Sequence, residues 1–111
     1  MSSREDILVI RRLNDDLRRE GRDGKVMITQ GVQALRQELL QQVLDVVKTF
    51  DDFTPDNDPH GEHDFGSFKV DGVSVFWKID YYDQTMEAGS PDPSDPEVTT
   101  RVLTIMLAEE Y

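Results

Sequence analysis

The sequence predicts an α+β fold: two helices packed on one face of a small, mainly antiparallel sheet of about four strands, in the order α-β-α-β-β-β. Three observations predict it. Apolar residues recur at three- and four-residue steps between residues 7 and 17 and again between 32 and 50. Two alternating segments flank an Asp-Gly pair, and an apolar, β-branched segment lies near the C-terminus.

Ser3 followed by Asp6 has the form of a capping box, after which Ile7, Ile10, Leu13 and Leu17 fall on one side of a helix ending near Gly21. Arg11, Arg12, Arg18 and Arg19, interleaved with Asp15 and Asp16, are expected to be solvated on its other faces. Arg22-Asp23-Gly24 is a turn, and Lys25 to Thr29 a short strand. A second, continuous helix is expected through Val32, Leu35, Leu39, Val43, Val46 and Phe50, with Arg36, Glu38, Gln41, Gln42 and Asp45 outward.

Residues 51–64 contain two prolines, Gly61 and six acids, a composition that predicts a surface loop. A loop of this length is the first place to look for a site. Asp71-Gly72 predicts a two-residue type I′ hairpin joining strands over 64–70 and 73–82. The turn then sets the register. Val70 opposes Val73, Phe68 opposes Val75 and Gly66 opposes Trp77, so that these residues and Ile79 face the helices and the Trp77 ring covers Gly66. Lys69 with Ser74, Ser67 with Phe76, Phe65 with Lys78 and His63 with Asp80 fall on the opposite face, which can be open to solvent. A second acidic, proline-rich surface loop, residues 83–97, precedes a buried strand from Arg101 to Leu107.

A chain of 111 residues fits one domain, 1–111. Its net charge of −11 is unevenly distributed: residues 1–48 carry nine basic and eight acidic side chains, residues 49–111 three and fifteen. Segments 51–68 and 79–100 contain neither Lys nor Arg, which opposes phosphate binding by that half. Direct nucleic-acid binding is therefore not expected, and a basic surface of another protein is the partner that suits it. With no apolar run near the roughly 20 residues that span a bilayer, and no signal-peptide core at the N-terminus, a cytoplasmic location without membrane association is expected. The absence of cysteine excludes a disulfide framework, a thiolate metal site and a cysteine nucleophile.

Three strings are distinctive: FDDFTPDNDPHGEHDFG from Phe50 to Gly66, FWKIDYYD from Phe76 to Asp83, and TTRVLTIMLAEEY from Thr99 to Tyr111. In these the chain resembles a small bacterial family known as domain of unknown function number 3768, along nearly its whole length from the first helix onward. The resemblance brings no established activity, cofactor or catalytic residue. It implies a bacterial accessory protein, of alphaproteobacteria and their plasmids and mobile elements, where small acidic proteins can block host defence or restriction systems.

Two constellations point to chemistry. His60 and His63 with Asp64, and with Asp56 and Asp58 nearby, are a ligand set for a divalent transition metal. Their three-residue spacing beside Pro59 and Gly61 is not that of the helical zinc-protease motif. The same loop starts like a calcium loop, but Ser67 stands where the bidentate Glu is required. His63 opposite Asp80 is a candidate catalytic pair, with Glu62, Lys78 and Tyr82 within reach, although a plain cross-strand ion pair is the reading favoured over catalysis. Trp77, Tyr81, Tyr82, Phe65 and Phe76 lack the cationic groove that single-strand binders place beside their aromatics.

Two functions follow. In the first the protein is a non-enzymatic interaction or inhibitor protein needing no cofactor. Its docking face comprises Asp51, Asp52, Asp56, Asp58, Glu62, Asp64, Phe76, Lys78 and Tyr82, and it imitates a nucleic-acid backbone against a nuclease or defence complex. The alternative is a small metal-dependent hydrolase built on the His60/His63 loop. A homodimer through the outer sheet face is a third arrangement.

Overall fold

The structure, a computed structural model, describes residues 3–111. Met1 and Ser2, which head the segment read for a targeting signal, lie outside the described residues. Helix α1 spans Arg4–Glu20 and begins at a complete capping box, Ser3 and Asp6 each accepting from the other's backbone N–H. Gly21 ends it in the left-handed region, at φ 71°, returning its N–H to the Leu17 carbonyl. Strand β1 (Lys25–Ile28) leads into α2 (Gln30–Gln33) and α3 (Gln37–Thr49), followed by β2 (Phe65–Val70), β3 (Val73–Tyr82) and β4 (Thr100–Leu107). A 3₁₀ turn at Ala108–Glu110 closes the chain.

The four strands lie in the order β1-β4-β3-β2. β1 runs parallel to β4, while the β4–β3 and β3–β2 pairs are antiparallel. The hairpin has the expected register, Val70 on Val73, Phe68 on Val75 and Gly66 on Trp77. Asp71 and Gly72 both adopt positive φ, as a type I′ turn requires. The chain is α+β, and no helix among the described residues is long and apolar enough to cross a membrane.

The expected second helix is two. Ala34 closes α2 by donating to the Gln30 carbonyl, and Arg36, extended at φ −57° and ψ 153°, starts α3 afresh. The corner lets α2 pack beside β4 while α3 approaches β2. Within α3 Leu39, Val43 and Val47 are buried at steps of four, so Val47 rather than the expected Val46 faces the core.

The core lies between the helices and one sheet face, with Trp77 at its centre, fully buried. Phe50 meets the indole edge-on at 5.5 Å and Phe53 does so at 6.0 Å. Gly66 lies directly beneath the ring, where an added Cβ would fall 2.6 Å from Trp77 Cε2. On the other sheet face Phe76 packs between Phe65 and Tyr111, each at 5.5 Å, and Met106 is buried.

Because an Ala methyl at Gly66 has to displace a fully packed indole, Gly66→Ala is expected to destabilise the fold by about 1–3 kcal/mol. The check is the shift in urea midpoint at unchanged slope.

Candidate functional site

The 51–64 segment is folded on itself and tied to α1. Thr54 and Asn57 exchange backbone and side-chain hydrogen bonds, and Asp58 N–H reaches the Thr54 carbonyl at 2.8 Å. Gly61 turns the chain at φ 70° and His63 at φ 56°, the latter a left-handed position uncommon for a side chain this large. The His63 N–H is held by the carboxylate of Asp58 at 3.1 Å.

Three consecutive loop residues hang from one face of α1. Arg11 Nε donates to the Gly61 carbonyl at 2.6 Å, Asn14 Nδ2 to the Glu62 carbonyl at 3.0 Å, and Asp15 meets His63 Nδ1 at 3.0 Å. Positions 11, 14 and 15 share a helix face, which is what lets a single loop strand engage all three.

Two polar networks run inward from this seam. In the first, Arg101 Nε donates to Asn14 Oδ1 at 2.7 Å, Asn14 Nδ2 to Tyr81 Oη at 2.8 Å, and the Tyr81 hydroxyl to Glu62 Oε1 at 2.7 Å. A buried cation and a carboxylate are thus joined through two neutral groups. Burial pushes the Tyr81 phenol well above its usual value, and its hydrogen bond to Glu62 adds to the shift, so it stays a donor. Burial also lowers Arg101, an effect opposed by Tyr81, Glu62 and Asp23. Its guanidinium stacks 5.2 Å from the Tyr81 ring and bonds the Pro93 carbonyl, anchoring the 83–97 loop to the same centre.

In the second network His63 stacks flat on Phe53 at 3.8 Å, with Asp15 at one ring nitrogen and Asp58 Oδ2 3.8 Å from the other. Asp15 also pairs with Arg18 at 3.1 Å. Arg18 is buried rather than solvated, donating to the Val47 carbonyl at 2.9 Å and lying 5.1 Å over the Trp77 ring. It closes the C-terminal end of α3, where orphan carbonyls accept a cation's protons.

The expected His63–Asp80 pair does not form. Asp64 already gives its carbonyl to Ile79 N–H, and the positive φ of His63 then turns the chain off the sheet toward α1. Asp80 instead sits 3.1 Å from Lys78, with Val102 as its ladder partner. Nor do the proposed metal ligands converge. His60 is exposed, His63 is held between two aspartates, and among the described residues no three His, Asp or Glu side chains are grouped to hold an ion.

The remaining candidates divide. Asp51, Asp52 and Asp56 are exposed, whereas Asp58 is buried in the loop and Glu62 is engaged by Tyr81. Asp64, Phe76, Lys78 and Tyr82 are half-buried. Burial raises the Asp64 carboxyl above its usual value, and the nearby negative charges of Glu62 and Asp58 add to this. Asn14, Asp15, Arg18, Tyr81 and Arg101 were not selected as site residues from the sequence. Their signal was phase: Asn14 stands between Ile10 and Leu17 on the apolar stripe of α1, and Arg101 shares the inward face of β4 with Leu103 and Ile105. Chemically the assembly is a clamp. Both His63 nitrogens face carboxylates, and Glu62 and Tyr81 satisfy each other.

Asn14→Ala leaves Arg101 Nε and the Tyr81–Glu62 pair without their bridge in a buried setting, and is expected to cost about 2–4 kcal/mol in chemical denaturation. For Asp64 the folded carboxyl lies above its unfolded value. Its protonated form stabilises the fold below the unfolded value, and that contribution is lost as pH rises through the folded value. Asp64→Asn is therefore expected to raise the melting temperature at pH 7, with the gain vanishing below about pH 4; an equal gain at both pH values would contradict this origin.

The family model described as "Protein of unknown function (DUF3768)" matches residues 28–110, a span that begins at the end of β1, whereas the likeness read from the sequence began at helix one. No curated protein and no solved structure matches the chain.

Proposed function

The chain belongs to the DUF3768 family, whose function is unknown, and we propose that it is an interaction protein whose acidic loops dock on a basic surface of a second protein. The observation that supports this is how the cations are used. Arg18 and Arg101 are buried in the two polar networks, and Arg11 bonds a loop carbonyl. Among the described residues Asp51, Asp52, Asp56, Asp83, Glu87, Asp92, Asp95 and Glu97 form no ion pair with a basic side chain. Arg11 and Arg18 of α1 lie against the long loop and Asp51 acts on Arg18, but these eight carboxylates have no close basic partner, which supports a field directed outward. Imitation of a nucleic-acid backbone is the finer form of this reading, and bound DNA would then compete for the same partner.

The test is capture from a bacterial lysate on immobilised protein at about 50 and 300 mM salt, since exposed charges are screened beyond roughly 10 Å at 0.1 M. A basic partner is expected to be retained at the lower salt, and lost both at the higher salt and with an Asp51→Asn/Asp52→Asn/Asp56→Asn variant. Release of that partner by double-stranded DNA supports the mimic. Capture indifferent to salt and to the triple variant removes the electrostatic basis of the proposal.

A further inference from the structure

Strand β1 forms an open edge of the sheet. Its residues Lys25 to Ile28 pair in parallel with Val102 to Ile105, and Thr29 donates its N–H to the Ile105 carbonyl at 3.1 Å. Along a parallel strand alternate residues bond to the same neighbour, so Lys25 and Met27 turn inward with Thr29 while Val26 and Ile28 direct their N–H groups to the open side. There the Ile28 carbonyl is taken by Gln33 Nε2 at 2.5 Å, and the Val26 backbone has no partner among the described residues. Proteins blunt such edges with short strands, lysines, bulges, prolines or cover. β1 is four residues long and carries Lys25, but it has no bulge or proline, and Val26 and Met27 are 45% and 56% exposed.

A groove of about 360 Å³ opens on each side of this edge. On the helix face it is lined by Leu17, Val26, Ile28, Leu44 and Val47; on the outer face by Met27, Tyr82, Met86 and Val102. A strand added here would place alternate side chains in the two grooves, so both of its faces must be apolar and its core a continuous apolar run matching the four residues of β1. The rim sets its flanks. Arg19 and Lys48 line the helix-face groove and Lys25 the outer one, while the acid between them, Glu20, is paired with Arg22 at 2.6 Å, which leaves a local excess of cations on a chain of net charge −11. A second copy would bring those cations together across the edge as well as two net negative chains.

We propose that the β1 edge binds an extended segment of another protein as a fifth strand, and that this segment is a short apolar run flanked by acidic residues. The helix-face groove lies apart from the acidic loops, whereas the outer groove borders the 83–97 loop at Met86.

The probe is a fluorescein-labelled peptide, Glu-Asp-Val-Ile-Val-Leu-Asp-Glu, titrated with the full chain at about 50 mM salt and followed by anisotropy. Saturable one-to-one binding is expected, weakened about tenfold when the peptide acids are replaced by lysine. Val26→Pro removes the outward N–H, a change an edge strand tolerates, and should weaken binding by a similar factor at unchanged melting temperature. Should that variant unfold, a Lys25→Glu/Lys48→Glu variant applies the charge test, with about tenfold loss again expected. Any of three results overturns the proposal: no saturable binding, equal affinity for the lysine peptide, or undiminished affinity in a folded variant. A dimer formed through β1 that the peptide fails to disrupt also overturns it.

Discussion

Asn14 holds four parts of the chain with one side chain. Its carbonyl oxygen accepts from Arg101 on β4, and its amide donates to Tyr81 on β3 and to the Glu62 carbonyl of the long loop, while its own backbone belongs to α1. The amide cannot flip without presenting donors to a cation and an acceptor to a tyrosine that must give its proton to Glu62. This orientation lets a guanidinium be buried. The arginine's desolvation costs several kcal/mol, offset by a charge-assisted hydrogen bond, the Tyr81 ring and the carboxylate at the far end of the chain. The contacts among these four elements hold as a set.

The long loop owes its order to the same seam. A segment of fourteen residues rich in Asp and Pro has little apolar area with which to offset its ordering entropy. It compensates with polar contacts: Gly61, Glu62 and His63 pinned to α1, Asp58 buried to catch the His63 N–H, and Phe53 inserted between the imidazole and the core indole. The positive φ of His63 is the strained point, and the clamp on both sides of its ring maintains it. A loop that looks like a catalytic segment by composition is, by geometry, the outer wall of a polar core.

Burial of Arg18 and Arg101 separates the protein electrostatically. Arg18 and Arg101 are turned inward, and of the cations left on the surface Arg19, Lys25 and Lys48 lie beside the β1 edge. The molecule presents acidic loops and, beside an unpaired strand, a local group of cations. Surface dipoles of this kind orient encounters before contact is made.

The sequence by itself determined what depends on neighbours along the chain. The Ser3–Asp6 cap, the Gly21 stop, the hairpin register from Asp71-Gly72 and the Trp77–Gly66 pairing follow from local turn chemistry and the two-residue period of a strand. The corner at Ala34–Arg36 was not legible because no Gly or Pro marks it; α2 packs on β4 and α3 on β2. The partner of His63 was likewise decided in three dimensions. The chain leaves the ladder at His63, whose positive φ sends its ring to Asp15, 48 positions away, instead of to Asp80. Polar residues on apolar faces, Asn14 and Arg101, showed in the sequence that something must satisfy them. Only the tertiary structure could say what, because a buried hydrogen bond is specified by distances between segments that sequence spacing does not constrain.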